Sequence, residues 1–180
     1  MGTDIHLAAE IFIEGRWHLV ETELPDYRNY TAFAILADVR NGYGFAGFDT
    51  GEPVIPISEP RDFPDDLSDE LQALLDRVNG QSIYLGDDSF SWVTLAELLA
   101  YDLDQPRICR GMVSPDEAER CHQTGEPPRN YVGWHADPKW VKISWEEPLR
   151  NAAPLITDLI EALRPLGQPD HVRLIFGFDN

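Results

Sequence analysis

Strict alternation opens the chain: Ile5, Leu7, Ala9, Ile11 and Ile13 take every second position, with Asp4, His6, Ala8, Glu10 and Phe12 between them. A period of two places the first set on one face of a strand and the second set on the other. Glu14-Gly15 then offers a tight turn into Trp17–Glu23, the signature of a β-hairpin. Such a turn fixes the register, setting Phe12 opposite Trp17, Glu10 opposite Leu19, Ala8 opposite Glu21 and His6 opposite Glu23. One face should therefore run from aromatics at the turn to Asp4, His6, Glu21 and Glu23 at the open end.

Beyond Pro25 the period lengthens to that of a helix. Phe33, Leu36, Ala37 and Val39 predict a helix in "RNYTAFAILADVRNG", with Asn29 as its cap and Asn41-Gly42 as a left-handed stop. Leu67, Leu71, Leu74, Leu75 and Val78 predict a second, ending at Asn79-Gly80. Between them, residues 42–66 form a long Gly/Pro-rich loop, of the kind that is either functional or mobile in a compact domain. Ser82–Leu85 reads as a short strand. Thr94-Leu95-Ala96-Glu97 reads as a capping box whose helix turns Leu95, Leu98 and Leu99 inward; Ser114-Pro115-Asp116-Glu117 is another, closing at Gly125. The last third holds a strand at "KWVKISW", a helix carrying Leu155, Ile156, Leu159, Ile160 and Leu163 up to Gly167, and a strand at "HVRLIFGF". Val172, Leu174, Phe176 and Phe178 share the core face of that strand, which is apolar enough to lie inside the sheet, where extensions beyond it would be poorly tolerated. The expectation is an α+β fold: a mainly antiparallel sheet, including the N-terminal hairpin and the C-terminal strand, covered by about five helices, in a single domain over residues 1–180.

Composition agrees with a packed core, since 43% of the residues are hydrophobic. No leader pattern and no bilayer-length apolar run is present, so a soluble cytoplasmic protein with no membrane partner is expected. Charge changes the picture more: 32 acidic residues against 14 basic give a formal net charge of −18. That field repels phosphate backbones and disfavours direct nucleic-acid binding, and it suits either solubility or a basic protein partner.

The chemistry that the residues suggest centres on the open end of the hairpin. Asp4, His6 and Glu23 bring carboxylates and an imidazole to one rigid face, a ligand set able to hold a divalent metal and activate water on a phosphate ester or nucleotide. A polar edge, with His6 paired to Glu23 across the ladder, is the plainer account of the same residues. "NGYGFAG" matches G-x-G-x-x-G formally, but a helix precedes it where a dinucleotide site needs a strand. Its aromatics Tyr43, Phe45 and Phe48 either tuck onto the core or offer a partner-binding flap. Cys109, Cys121, His122 and His135 lack the close spacing of a zinc site. Arg28, Arg40 and Arg61 are either islands for a carboxylate or phosphate, such as a small nucleotide ligand, or partners for the abundant acids.

The stretches "DIHLAAE", "RNYTAFAILADVRNG", "EPRDFPDDLSDEL", "SWVTLAELL" and "VRLIFGFDN" span nearly the whole chain. Together they resemble a family of uncharacterised proteins met in bacteriophages, prophages and bacterial genomes. The family pattern often holds histidines before "SW", where this chain reads Gly86-Asp87-Asp88-Ser89-Phe90-Ser91. Its recurrent polar motifs fall on Asp4, His6, Arg28, Asn29, Arg40, Asn41, Arg61, Ser91 and Trp92, and a single polar pocket uniting them at the open end of the hairpin is the expectation. The resemblance carries no reaction. Joined to the charge, it implies a small acidic phage-type accessory protein that works by binding a basic protein in the host cytoplasm, for example an inhibitor of a nucleic-acid-handling or defence protein. A metal-dependent hydrolase and a sponge for a nucleotide signal are the alternatives.

Overall fold

A computed structural model describes residues 2–77 and 80–179. Along the chain come β1 (Asp4–Ile13), β2 (Arg16–Val20), α1 (Tyr30–Ala37), α2 (Asp69–Leu75), β3 (Asp88–Thr94), α3 (Leu95–Ala100), β4 (Pro106–Val113), α4 (Pro115–Thr124), β5 (Val141–Pro148), α5 (Leu149–Ala152), α6 (Pro154–Leu163) and β6 (Val172–Asp179). The strands form a four-stranded antiparallel sheet in the order β2-β1-β6-β3 and a separate β4-β5 pair, giving the α+β architecture expected. Val78 and Asn79, assigned from sequence to the second helix and its stop, lie outside the described residues.

Alternation decides which side chains meet which layer. Ile5, Leu7, Ala9 and Ile11 of β1 stand beside Phe178, Phe176, Leu174 and Val172 of β6, and this face receives α1, α3, α5 and α6. Phe33 of α1 meets Phe178 edge to face at 5.2 Å. Because α1 is apolar all round, Ala32–Ala37 are all buried. The opposite face carries Ala8 and Ile175, closed over by Leu71 of α2 and by Leu85, with Leu19, Phe63 and Trp92 at the margin. Burial of β6 on both faces, from Val172 to Phe178, accounts for its continuous apolar run.

That second face also buries charge. Glu10 is fully buried and Arg173, its cross-strand neighbour on β6, is 2% exposed. Arg173 Nε donates to Glu10 Oε2 at 2.8 Å and Nη1 donates to Asp66 Oδ1 at 2.6 Å, while the guanidinium lies 4.0 Å from the Trp17 ring. The other Glu10 oxygen accepts from the Ser68 amide at 2.9 Å, and Ser68 in turn caps α2. Every charged group in this cluster has its partner, the condition under which ions tolerate burial.

Several local expectations are corrected. Val20 is the last β2 residue paired with β1, so the pairs Ala8–Glu21 and His6–Glu23 do not form. α1 stops at Ala37, because Asp38 adopts φ 59° and accepts the left-handed position expected of Asn41. Asn41 instead holds Val54 with both ends of its amide, at 2.7 and 2.8 Å. Ser82–Leu85 has no strand pairing, whereas β3 and β4 appear where none was expected. In β4 the buried alternate positions are Arg107, Cys109, Gly111 and Val113, so a charge and a glycine mask the period. Leu99 faces outward, at 40% exposure. The Thr94–Glu97 box is complete, but at α4 Glu117 turns away from Ser114 to Arg120 and to the Arg129 amide.

The loop over residues 42–66 is strapped down rather than free. The Glu52 amide donates to Ile108 O at 2.8 Å, Ile57 to Ile35 O at 2.7 Å and Asp62 to Phe90 O at 2.9 Å, carrying the segment from β4 across α1 to β3. Gly51, at φ 134°, lies against Ile108 O and Cys109, where a side chain would collide with backbone.

Removing one member of the buried ion pair leaves the other uncompensated. Arg173→Met and Glu10→Leu should each cost about 3–5 kcal/mol in urea denaturation. The double variant should lose less than either single change, because no lone charge is then buried.

Candidate functional site

The ten residues singled out from sequence separate into distinct neighbourhoods. Asp4, His6 and Arg28 do meet at the start of β1. Arg28 donates through Nε and Nη2 to the two Asp4 oxygens, each at 2.7 Å, a side-on bidentate pair. The third member, His6, engages a carboxylate other than the one expected: Nε2 lies 3.1 Å from Asp179 Oδ2 of β6, and Asp179 Oδ1 accepts from the Asp4 amide at 3.1 Å. Its ring also meets Tyr84 edge to face at 4.7 Å. Arg40 approaches the same end, donating to Thr3 Oγ1 at 2.6 Å and lying 5.4 Å from the Tyr30 ring.

Ser91 and Trp92 of β3 form a second group with Arg61 of the 42–66 loop. Arg61 binds both Glu97 oxygens, at 2.6 and 3.2 Å, and lies 4.9 Å from the Trp92 ring; its amide donates to Ser91 Oγ at 3.1 Å. Asn29 caps α1 by accepting from Ala32 N and ties it to α5 by donating to Ala152 O. Asn41 serves Val54. Glu23 is exposed beyond the end of β2. The single polar pocket is therefore not formed, and the arginines at its expected corners are engaged in ion pairs and hydrogen bonds within the chain.

The ligand set expected from sequence, Asp4, His6 and Glu23, does not assemble, because Glu23 lies beyond the end of β2. Among the described residues no three His, Cys, Asp or Glu side chains come together as a metal could require. Cys109 is buried, and that burial pushes its thiol up to about 11, away from the thiolate form a metal needs. No helix among the described residues is long and apolar enough to cross a membrane.

Two surfaces stand out instead. The first is a cleft of about 490 Å³ at the edge of β1, where β2 has ended. Its walls come from both faces of β1, His6 and Ala8 on one and Leu7 and Ala9 on the other, with Glu21, Leu24 and Asp26 of the departing chain opposite, and Ile83 and Tyr84 beneath. A neighbouring hollow of about 630 Å³ shares Leu19, Glu21 and Leu74 with it and adds Glu70 to the rim. The second surface is aromatic. Tyr43, Phe45, Tyr131 and Trp134 are each at least half exposed, and Phe48 stacks on Trp134 at 5.9 Å. Asp49 beside it is bridged by Arg110 and Lys142, each at 3.2 Å, so its charge is balanced locally.

Sequence reasoning named Tyr43, Phe45 and Phe48 but missed Trp134 and Tyr131, whose partners are distant in the chain. Asp179, the acid that actually binds His6, carried no signal beyond its place at the end of the apolar strand β6.

The ion pairs set an acid limit. Hydrogen bonds from Arg28 to Asp4 and from Arg173 to Asp66 hold both carboxyl groups below their ordinary 3.8. A depressed carboxyl group stabilises the fold above its unfolded value and loses that contribution as pH falls through the folded one. The stability difference between wild type and Asp66→Asn, from urea denaturation, should therefore be constant above that pH and shrink below 3.8.

Comparison of the chain with known protein families, with curated proteins and with solved structures finds no match.

Proposed function

We propose that this chain is an acidic accessory protein that acts by binding a basic protein, and that its exposed aromatic surface is where the two bodies meet. The observation that carries the reading is the set of aromatic side chains held half in water, Tyr43 and Phe45 of the 42–66 loop and Tyr131 and Trp134 of residues 125–140, two segments that each bridge to β4 and meet where Phe48 stacks on Trp134. Large aromatic side chains cost solvation when left exposed, and Trp and Tyr are the residues that dominate protein–protein binding energy when covered. The local pairing of Asp49 with Arg110 and Lys142 suits the centre of such an interface, where net charge is depleted.

The net charge of −18 supports the sign of the partner. Such a field draws a basic protein inward over about a Debye length, roughly 8 Å at physiological salt, and turns nucleic acid away. A host protein that handles nucleic acid, including one that serves defence, has the required basic surface. The resemblance to phage-borne sequences supports that setting, in which occupation of the partner's nucleic-acid face would inhibit it.

The test is capture from a bacterial host lysate at low salt on immobilised protein, with Phe45→Ser/Trp134→Ser as the paired variant. The wild type should retain basic proteins that elute as salt is raised, and the variant, with unchanged circular dichroism, should retain them at least about tenfold less well. Retention of nothing at low salt, or equal retention by both, would count against the reading.

A further inference from the structure

We propose that the cleft at the edge of β1 is a strand-addition site that takes an extended basic segment of a protein partner. This deepens the reading above and rests on it for the sign of the partner's charge.

The backbone supplies the first argument. β1 runs from Asp4 to Ile13, but β2 pairs with it only as far as Ala9–Val20. From Asp4 to Ala8 the strand has β6 on one side and, among the described residues, no strand on the other. The Asp4 amide points toward β6, where it donates to Asp179 Oδ1. Successive residues of a strand direct their amides and carbonyls to opposite edges, so Leu7 directs both toward the side that β2 has left. A polar backbone pair on an open sheet edge is a template for one more strand.

The shape of the cleft supplies the second. Residues from both faces of β1 border it, His6 and Ala8 together with Leu7 and Ala9, so it lies in the plane of the sheet rather than on either face. That is the space a longer β2 would fill. The chain's own continuation stands off as the far wall at Glu21, Thr22, Leu24 and Asp26. Arg28 fixes that departure by its bidentate hold on Asp4, and Gly2 leaves room for the guanidinium where a side chain would collide.

Charge chooses the occupant. The floor is apolar, with Leu74 and Ile83 on the α2 side of the sheet, and the rim carries Glu21 and Asp26, continued in the adjoining hollow by Glu70, which also bonds His18 at 3.1 Å. An inserted strand alternates its side chains, so a segment of alternating aliphatic and basic residues puts the first kind on the floor and the second against the acids. In the complex the Leu7 N–H donates to a carbonyl of the segment, and the Leu7 carbonyl accepts from one of its amides.

The probe is a synthetic decapeptide of alternating lysine and valine, with a glutamate–valine decapeptide and a version of the lysine peptide N-methylated at alternate residues as controls. Titration followed by backbone amide NMR at low salt should show the lysine peptide shifting Leu7, Ala8 and Val20, with hydrogen exchange at Leu7 slowed at least tenfold. The glutamate peptide should not bind. N-methylation, which removes the donors and keeps the charge, should abolish binding, and Glu21→Lys/Asp26→Lys should weaken the parent peptide at least tenfold. Equal binding of the methylated and parent peptides, or shifts confined to another surface, would overturn strand addition and leave the basic-partner reading standing. Binding nowhere at low salt would also overturn it, while retention through Phe45 and Trp134 decides the basic-partner reading on its own.

Discussion

The buried pairing of Glu10 with Arg173 is the constraint around which the rest of the sheet is arranged. A charge on either residue alone would be intolerable at full burial. Each therefore dictates the position of other elements: Glu10 draws in the Ser68 amide and with it the first turn of α2, and Arg173 draws in Asp66 and, through it, the Trp17 indole of β2. The pairing also locks the register of β6. A slip of one residue would carry Arg173 to the helical face and Leu174 or Val172 to the other. The side chain lies near two indoles, 4.0 Å from Trp17 and 5.9 Å from Trp92, and Arg61 also lies over Trp92, at 4.9 Å. Cations and rings thus alternate across the sheet from β2 to β3, replacing an apolar cluster with one that has a defined order.

From that constraint the open edge follows. α2 is held against the sheet through Ser68, and its Leu74 contacts the backbone of Ile83, so this layer reaches the cleft from beneath. On the other side Asp4 holds Arg28, and the chain between Val20 and Arg28 must swing outward to reach it. β2 ends where it does because its continuation is committed elsewhere, although Thr22 and Glu23 have nothing in their chemistry that forbids a strand. The edge of β1 is left open by two anchors, one at each end of the departing segment.

Much of the frame was legible because it is written in local periods. The hairpin register from Ile13–Arg16 to Ala9–Val20, the core face of β6, the complete Thr94 capping box and the α6 stripe all rest on residues within a few positions of one another. What escaped depends on distant partners. Glu10 reads as the solvent side of an amphipathic strand until α2 and the residue 63–67 segment cover it, and Arg107 disguises β4 because a buried arginine is indistinguishable in sequence from an exposed one. The site suffered more than the fold for the same reason. Asp4, His6 and Arg28 do come together at the start of β1, but the partner of His6 lies 173 residues away, and Arg61 is bound from the 42–66 loop to Ser91 and Trp92 of β3.

The position of the few lysines gives the charge a direction. Lys139 and Lys142 are the chain's only two, and both fall at or just before β5, beside Trp140 and close to the aromatic surface. Lys142 and Arg110 offset Asp49 there, so desolvation of that region on binding leaves no large uncompensated field. The edge of β1 has no such compensation at Glu21 and Asp26, which line the cleft with no arginine or lysine among its walls. Screening confines each local effect to about a Debye length, so the two surfaces differ in local charge within a field of one overall sign. One is suited to apolar contact through aromatic rings, the other to backbone pairing with a segment whose charge its rim selects.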